Sequence, residues 1–529
     1  MLRRVHDDER GIALITMLGV SLVLALLVTA LLQYGVGSMR QARYDQDWHA
    51  ALAAANAGLD DFLARINRDI AYWQRADDCD DCAATLDPDN PALVGFTTIP
   101  DGESQFTYDV DASNIGATGV VTVTSTGRVN GVERTVRAQL RRRTFLDYLY
   151  FTEYETLDPS AYPASGSRNQ AWAATNCKRH RYDSPSRHAD CYDITWANAD
   201  VVSGPFHSND QIAVSGTPEW GDEASMSRPD AMYYDVAADR NCRSRNNPSG
   251  CTSNPSFAEG LRFRAPLTLP PSNTQIRAEA DPAVSGQGCM YVGATFIRLN
   301  TNGSATVRSV RTDDPSSSKC PINGTMSSLP SNGVIYVRGA RAGETCLSSN
   351  PHPYTLTGDV TTYNRCAGDV FVEGTLDGRL TIAAENNIVI SNDLIYRGGR
   401  GAGSDDMLGL VANNFIEIMH PVNSSGQNIR YLPSNRTFED PHIDAAILSV
   451  EHSFRVQNHN EGDDFDDPID VYGTIGQLYR GPVGTFSGSS TVTGYDKDYK
   501  YDPRLEFISP PHFLDPVQSA WSVRSWSEE

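Results

Sequence analysis

Residues that could do chemistry are few in this chain, and their spacing favours structure over reaction. Asp463, Asp464, Asp466 and Asp467 flank Phe465 in an acidic run that could hold Ca²⁺. Their spacing does not match the helix-flanked calcium loop, and a solvated acidic loop is the simpler reading. Asp405-Asp406 carries the same two readings. Paired carboxylates on one face could also cleave a glycosidic bond, but nothing here fixes two at a working separation. His207, His420 and His452 lack a metal-ligand spacing and read as satisfied strand or loop residues. There is no Gly-x-Ser-x-Gly elbow and no Gly-Lys-Ser/Thr phosphate loop. The expectation is no catalytic residue, no metal and no cofactor.

Cysteine is the more informative type. The ten are Cys79, Cys82, Cys177, Cys191, Cys242, Cys251, Cys289, Cys320, Cys346 and Cys366. An even number fits disulfides formed in an oxidising compartment. Their spacing suggests sequential loops: 79–82, 177–191, 242–251, 289–320 and 346–366. Sequence alone does not fix connectivity. For Cys79-Asp-Asp-Cys82 the rival is a metal or redox motif. No second Cys-x-x-Cys or His pair completes a zinc set, and no βαβ pattern surrounds it, so a local staple is favoured.

The elements that position these residues begin at the N-terminus. A short charged leader, 1–11, precedes an uncharged apolar run lasting to about Leu32. At about 20 residues the run is long enough to cross a bilayer, and no small-x-small cleavage site follows it. The helical pattern continues beyond it. Trp48, Leu52, Ala55, Leu59, Phe62, Ile66, Ile70 and Trp73 recur at steps of three and four, without an intervening Pro. One helix over 12–75 is expected, with its first part (12–33) in lipid and an exposed amphipathic part (34–75).

At Glu9-Arg10-Gly11-Ile12-Ala13-Leu14-Ile15 the sequence resembles the class III leader of type IV pilins, most closely the PilX-like minor pilins. The stretch 50–60, alanines followed by Ala57-Gly58-Leu59-Asp60, resembles the exposed half of the pilin helix. The resemblance covers residues 1 to about 145. It implies that a prepilin peptidase cuts after Gly11, that Ile12 becomes an N-methylated terminus, and that the helix is held first by membrane lipid and then by other pilins. One position departs from the family. The fifth residue of the mature chain, commonly Glu, is Thr16. A hydroxyl cannot neutralise a neighbour's terminal amine in apolar surroundings, where an unpaired charge is costly. This points to a subunit at a tip or in initiation rather than one repeated along a fibre.

Charge and period describe the rest. With 529 residues and a formal charge of -22, more than one domain is expected, and phosphate backbones are repelled, so no nucleic-acid partner is expected. After a Pro- and Asp-rich loop, strands at 105–110, 120–125, 128–129 and 134–140 with an Asn130-Gly131 turn form a small antiparallel sheet on the helix stripe. This completes an α+β pilin-like module through residue 145. The aromatic stretch 145–155 reads as packing between domains. Across 146–500, short aliphatic strands recur between Gly, Asn and Asp corners. That rhythm fits a parallel β-helix, and a β-sandwich gives a similar one. The Cys-bearing segments 220–257 and 308–333 read as loops decorating one side, where binding usually sits. The aromatic tail 501–529 reads as a cap folded on the last coil.

Together these readings give a non-enzymatic, single-pass protein of the bacterial cytoplasmic membrane, then of a pilus or the cell surface. Its extracytoplasmic head would serve initiation, tip adhesion or partner binding, with a surface or glycan ligand in view. A tip pseudopilin of a type II secretion system and a membrane-tethered β-helix enzyme acting on polysaccharide are the alternatives.

Overall fold

The computed structural model describes residues 10–69, 71–76, 86–100, 102–113, 115, 119–198, 200–243, 250–313, 319–346, 351–432, 436–465, 467–487, 490–517 and 521–529. Cys79, Cys82 and Asp466 lie outside the described residues. The chain divides into two compact units, Met1–Arg142 with Ala520–Glu529, and Arg143–Ser519. The first holds a long helix and an antiparallel sheet; the second is a large β domain.

In the first unit one unbroken helix spans Arg10–Arg68, 59 residues, or roughly 90 Å at the α-helical rise. Its sheet has five strands in the order Thr97–Thr98, Gln105–Asp111, Val120–Val129, Val132–Arg142 and Trp521–Glu528. The neighbours are all antiparallel. Strand Val120–Val129 alternates buried and half-buried along its length, the signature of a sheet with one dry face. Asn130 and Gly131 both take positive φ, 49° and 83°, as a two-residue hairpin turn demands. Leu59, Phe62 and Ile66 of the helix share a core with Tyr108, Val121, Val123, Ala138 and Leu140.

The fifth strand corrects the reading of the tail. Trp521–Glu528 does not cap a coil; it pairs with Val132–Arg142 at the edge of this sheet. Trp521 is buried in the same core as Leu59 and Phe62. Of its aromatic residues Trp521 is buried and Trp526 is exposed, and which apolar face the segment meets is decided by tertiary structure. Earlier parts of the tail stay with the β domain, where Leu505 packs with Leu146, Met407 and Ala446.

The β domain rests on parallel pairing and is assembled from two stacks. In the first, Tyr150–Tyr154, Phe206–Ser208, Ala224–Met226 and Leu261–Phe263 lie side by side in chain order. In the second, Val334–Arg338, Arg379–Ala384, Met407–Ala412, His442–Ser449 and Ile469–Tyr479 do the same. A companion ladder runs through Cys289–Asn300, Val370–Leu376, Ile388–Tyr396, Ile416–Ile418 and Phe454–Val456. The two stacks are not end to end in sequence. The last rung of the second, Ile469–Tyr479, pairs with the first rung of the first, Tyr150–Tyr154. Lys497–Tyr501 makes a second such join with Val201–Ser203.

The connection between stacks must therefore travel back along the domain. Residues 264–288 do this as a strap over the second stack. Asn273 anchors it: Nδ2 donates to the carbonyls of Ala384 (2.7 Å) and Val411 (3.2 Å), and Oδ1 accepts from Tyr336 Oη at 2.8 Å. Leu267 and Ile276 pack there with Tyr336, Ala383 and Val411. Two expectations change accordingly. Segment 220–257 is not only decoration, since Trp220 is buried in the main core and Ala224–Met226 is a rung. Phe145, Leu146, Tyr148, Leu149 and Phe151, expected between domains, are buried core residues of the β domain itself.

Candidate functional site

The first candidate site is the long helix, which changes character halfway along. From Leu14 to Tyr34 every side chain is exposed, including Leu14, Ile15, Met17, Leu18, Leu22 and Leu26. No Asp, Glu, Lys or Arg occurs between Gly11 and Met39. By length and composition this part is able to cross a membrane. A run of exposed apolar side chains on this scale is not tolerated in water and requires lipid or other apolar helices around it. Thr29 is satisfied within the helix, donating to the carbonyls of Ala25 and Leu26 at 2.8 and 2.9 Å. Gly11 and Ile12 lie within the first turns of the helix and Thr16 one turn further on, where it is exposed.

The other half is seated on the sheet by small residues. Ala51, Ala54, Ala55 and Gly58 are buried. A Cβ at Gly127 would lie 2.1 Å from the Ala51 carbonyl oxygen and 2.3 Å from the Ala55 nitrogen, so the helix backbone touches the strand directly. Polar clamps flank this contact. Asn130 Nδ2 donates to Asp47 at 3.0 Å, and the Arg134 guanidinium lies 3.6 Å over the Trp48 ring. Tyr108 Oη donates to Asp61 at 2.9 Å, and Arg65 pairs with the same carboxylate at 2.8 Å. Asn67 bonds both the N–H and the carbonyl of Trp521, at 2.6 and 3.1 Å, and Trp526 Nε1 donates to Asn56 at 3.1 Å. The alanines and the hairpin were legible in the sequence. Gly127 and the two asparagines were not, although Gly in an alternating strand is a signal of close backbone approach.

The second candidate region is the join between the two β stacks, which buries charge. Arg480 donates to Glu155 at 3.3 Å and to the Ile194 carbonyl at 2.9 Å, and lies 3.7 Å over the Trp196 ring. Trp196 Nε1 donates to the same Glu155 at 3.2 Å. Arg480 and Glu155 are both almost fully buried. Lys497 pairs with Asp200 beside them. Burial pushes the Asp200 carboxyl up, but Lys497 and Arg480 outweigh it and hold the group below its ordinary range. Gln477 donates to Tyr150 Oη at 2.6 Å, and His452 Nδ1 meets Asp158 at 2.7 Å. Sequence reading missed this set because its members lie in separate parts of the chain and share no motif.

Several of the chemistry-bearing residues of the sequence are held by partners within the fold. His207 is fully buried against Ser225 and Asn209, each at 3.0 Å, and His420 bonds the Gln457 carbonyl and Asn428. Asp406 accepts from the N–H groups of Gly378 (2.6 Å) and Gly398 (2.7 Å), a corner-fixing role. Asp463 pairs with Arg430 at 3.3 Å. Disulfides join Cys177–Cys191, Cys242–Cys251, Cys289–Cys320 and Cys346–Cys366, with Cα separations of 5.6, 6.3, 5.7 and 5.7 Å. Asp235 lies beside Cys242 and Cys251, but both sulfurs are spent on their bond and the carboxylate accepts from the Thr252 and Ser253 N–H groups at 2.6 and 2.8 Å. That trio offers no donor set for a metal.

No family model matches the chain, and no curated protein matches it. Among solved structures it is similar to the competence-associated pilin ComZ from Thermus thermophilus. The match covers 91% of this chain and 97% of that one, at 15% identity and a TM-score of 0.30. At that score the likeness assigns neither fold nor activity.

Proposed function

We propose that the protein is a minor, pilin-like subunit of a type IV pilus or related filament. The observation that carries this reading is the divided helix: one apolar half fully exposed, the other seated by alanines and glycine on an antiparallel sheet. A rod of that kind dissolves in lipid before assembly and packs against sister rods afterwards. A prepilin peptidase cuts after Gly11 and leaves Ile12 as an N-methylated terminus. With Thr16 in place of an acid, the first carboxylate after Gly11 is Asp45, so the subunit suits a tip or initiating place. It sits in the bacterial cytoplasmic membrane and is then carried to the surface. The β domain, whose parallel ladders we read as faces of a right-handed β-helix, is the presented head and acts in binding, not catalysis.

N-terminal sequencing of the mature protein tests the reading. The expected start is N-methylated Ile12. An intact Met1, or a cut beyond the apolar run that releases a water-soluble head, removes it.

A further inference from the structure

The β domain carries a cleft of about 510 Å³ along one of its corners. Its floor is the turn side of the companion ladder, where Asn386, Asn387 and Asn414 precede successive rungs. These amides fix one another. Asn414 Nδ2 donates to Asn386 Oδ1 at 2.5 Å, Asn386 Nδ2 to Asp369 at 2.6 Å, and Asn387 Oδ1 accepts from the Phe415 N–H at 3.1 Å. The loop carrying Thr361, Thr362 and Tyr363 forms the facing wall, and Tyr363 Oη donates to Gln457 at 3.0 Å.

The charges inside the cleft cancel. Arg455 holds Glu417 through bonds of 2.6 and 2.8 Å, and Gln457 Nε2 donates to the other Glu417 oxygen at 2.8 Å. Burial pushes His459 down to about 4, so it is neutral at pH 7. The lining carries no net charge, and the Asp369 carboxylate behind Asn386 adds only negative charge, so nothing here draws in phosphate or carboxylate ligands. It offers amides and hydroxyls, each a donor and an acceptor, already locked in place. The matching partner is a chain of uncharged hydroxyl groups. The cleft also has a neighbour. Ala161 edges it, while Asp158, Pro159 and Ser160 of the same turn edge a second cleft of about 700 Å³ that includes His452. Phe415 links them, with Arg455 3.6 Å from its ring and His452 stacked on it at 4.5 Å. Two clefts on either side of one short turn suit an extended ligand.

We propose that this asparagine-lined cleft binds a neutral oligosaccharide. The proposal deepens the reading above, on which it rests for the presentation of the head, by naming what the head takes.

The test uses the full chain in detergent and saturation-transfer NMR with calorimetry. The probes are maltohexaose, cellohexaose and N-acetylchitohexaose, with hexagalacturonate and an uncharged Gly-Ser peptide as rivals. At least one neutral hexasaccharide is expected to bind. Asn460→Ala, at the exposed rim, is expected to weaken it about fivefold, the size of one lost hydrogen bond. Thr362→Trp, filling the cleft, is expected to abolish it with the unfolding midpoint unchanged; Asn460→Trp blocks from the other wall if Thr362→Trp does not fold. The proposal is overturned if no neutral sugar binds, if hexagalacturonate or the peptide binds as well, or if binding survives a folded blocking variant. Failure with Ile12 still found as the mature terminus sinks the cleft alone. Sugar binding by a chain with Met1 intact sinks the pilin reading alone.

Discussion

The helix seat and the join between the β stacks solve one problem by opposite means. Each fastens parts of the chain that are remote in sequence. In the seat, Asn67 holds Trp521 from 454 residues away; in the join, Arg480 holds Glu155 from 325 away. The centre of the seat is dry, alanine and glycine against backbone with the polar clamps at its flanks, so it depends first on size. The join is charged and buried, so it depends on every partner staying in place and in its ionised form. A buried pair of this kind need not add stability over an apolar replacement, but losing one member leaves an uncompensated charge. The two regions should therefore fail under different insults, and hydrogen exchange, which reports each unit separately, can follow them in one sample.

The largest effect expected is at the join. Glu155→Gln removes the carboxylate that Arg480 and Trp196 share and leaves the buried guanidinium with only the more distant Asp200 carboxylate, at 3.8 Å, which Lys497 already holds. The β domain should lose about 3–5 kcal/mol, the usual cost of breaking a buried pair from one side. Exchange in strands 150–154 and 469–479 should accelerate, while the helix seat holds. An equal loss in both units would mean that charge is not the distinguishing feature of the join.

A second test uses pH, and it acts on the β domain only. Burial pushes the Asp369 carboxyl up to about 6, against accepted bonds from Asn387 and Asn386. The folded state therefore favours the protonated form. That contribution is fully present below pH 4 and is lost as pH rises through about 6, amounting to about 3 kcal/mol. Asp369→Asn keeps the acceptor oxygen without the charge, so it should stabilise the domain by up to that amount at pH 7.5 and by nothing at pH 4. His207 runs the other way. Burial pushes it down to about 3, so its contribution is complete above pH 6.5 and is lost as pH falls toward 3. Urea melts at pH 4, 5.5 and 7.5 read both signs.

The same contrast explains what was legible in the sequence. The helix, the hairpin at Asn130-Gly131 and the alternating strands are written in local periodicity, because each residue's burial is set by neighbours one turn or one strand away. The rungs at 369–396 and 408–418 were visible for the same reason. The join was not, since pairing Tyr150 with Ile475 needs a strap that doubles back, and no local pattern encodes a reversal of stacking order. The final strand lies between these cases. Trp521, Val523 and Trp526 announce an apolar segment, but its partner is a sheet that closed hundreds of residues earlier. The cleft asparagines were visible only as corner residues, because shared hydrogen bonds between successive rungs appear only once the rungs stack.

For the seat, size is the insult. Gly127→Ala places a methyl against backbone atoms of Ala51 and Ala55 that cannot swing aside. Overpacking of this sort costs about 1–3 kcal/mol. Exchange should rise along 51–66 and 120–129 with no change in the β domain and no dependence on pH between 4 and 8. A pH-dependent loss would mean that the flanking Asp61–Arg65 pair, and not packing, governs the seat, and would erase the contrast.

The smallest effect sharpens the comparison most, because it probes an uncharged polar clamp at the flank of the dry contact. Asn67→Ala removes both bonds to the Trp521 backbone but leaves the Trp521 ring buried against Leu59 and Phe62. Half-buried neutral hydrogen bonds contribute about 1 kcal/mol each at most, and here water can replace them in part. The loss should be about 1 kcal/mol, confined to faster exchange in 521–528. Trp521→Ala removes the ring instead and should cost about 3 kcal/mol or more by opening a cavity. If the ranking reversed, the tail would be held by the amide clamp and not by the ring, and the seat would share the polar logic of the join.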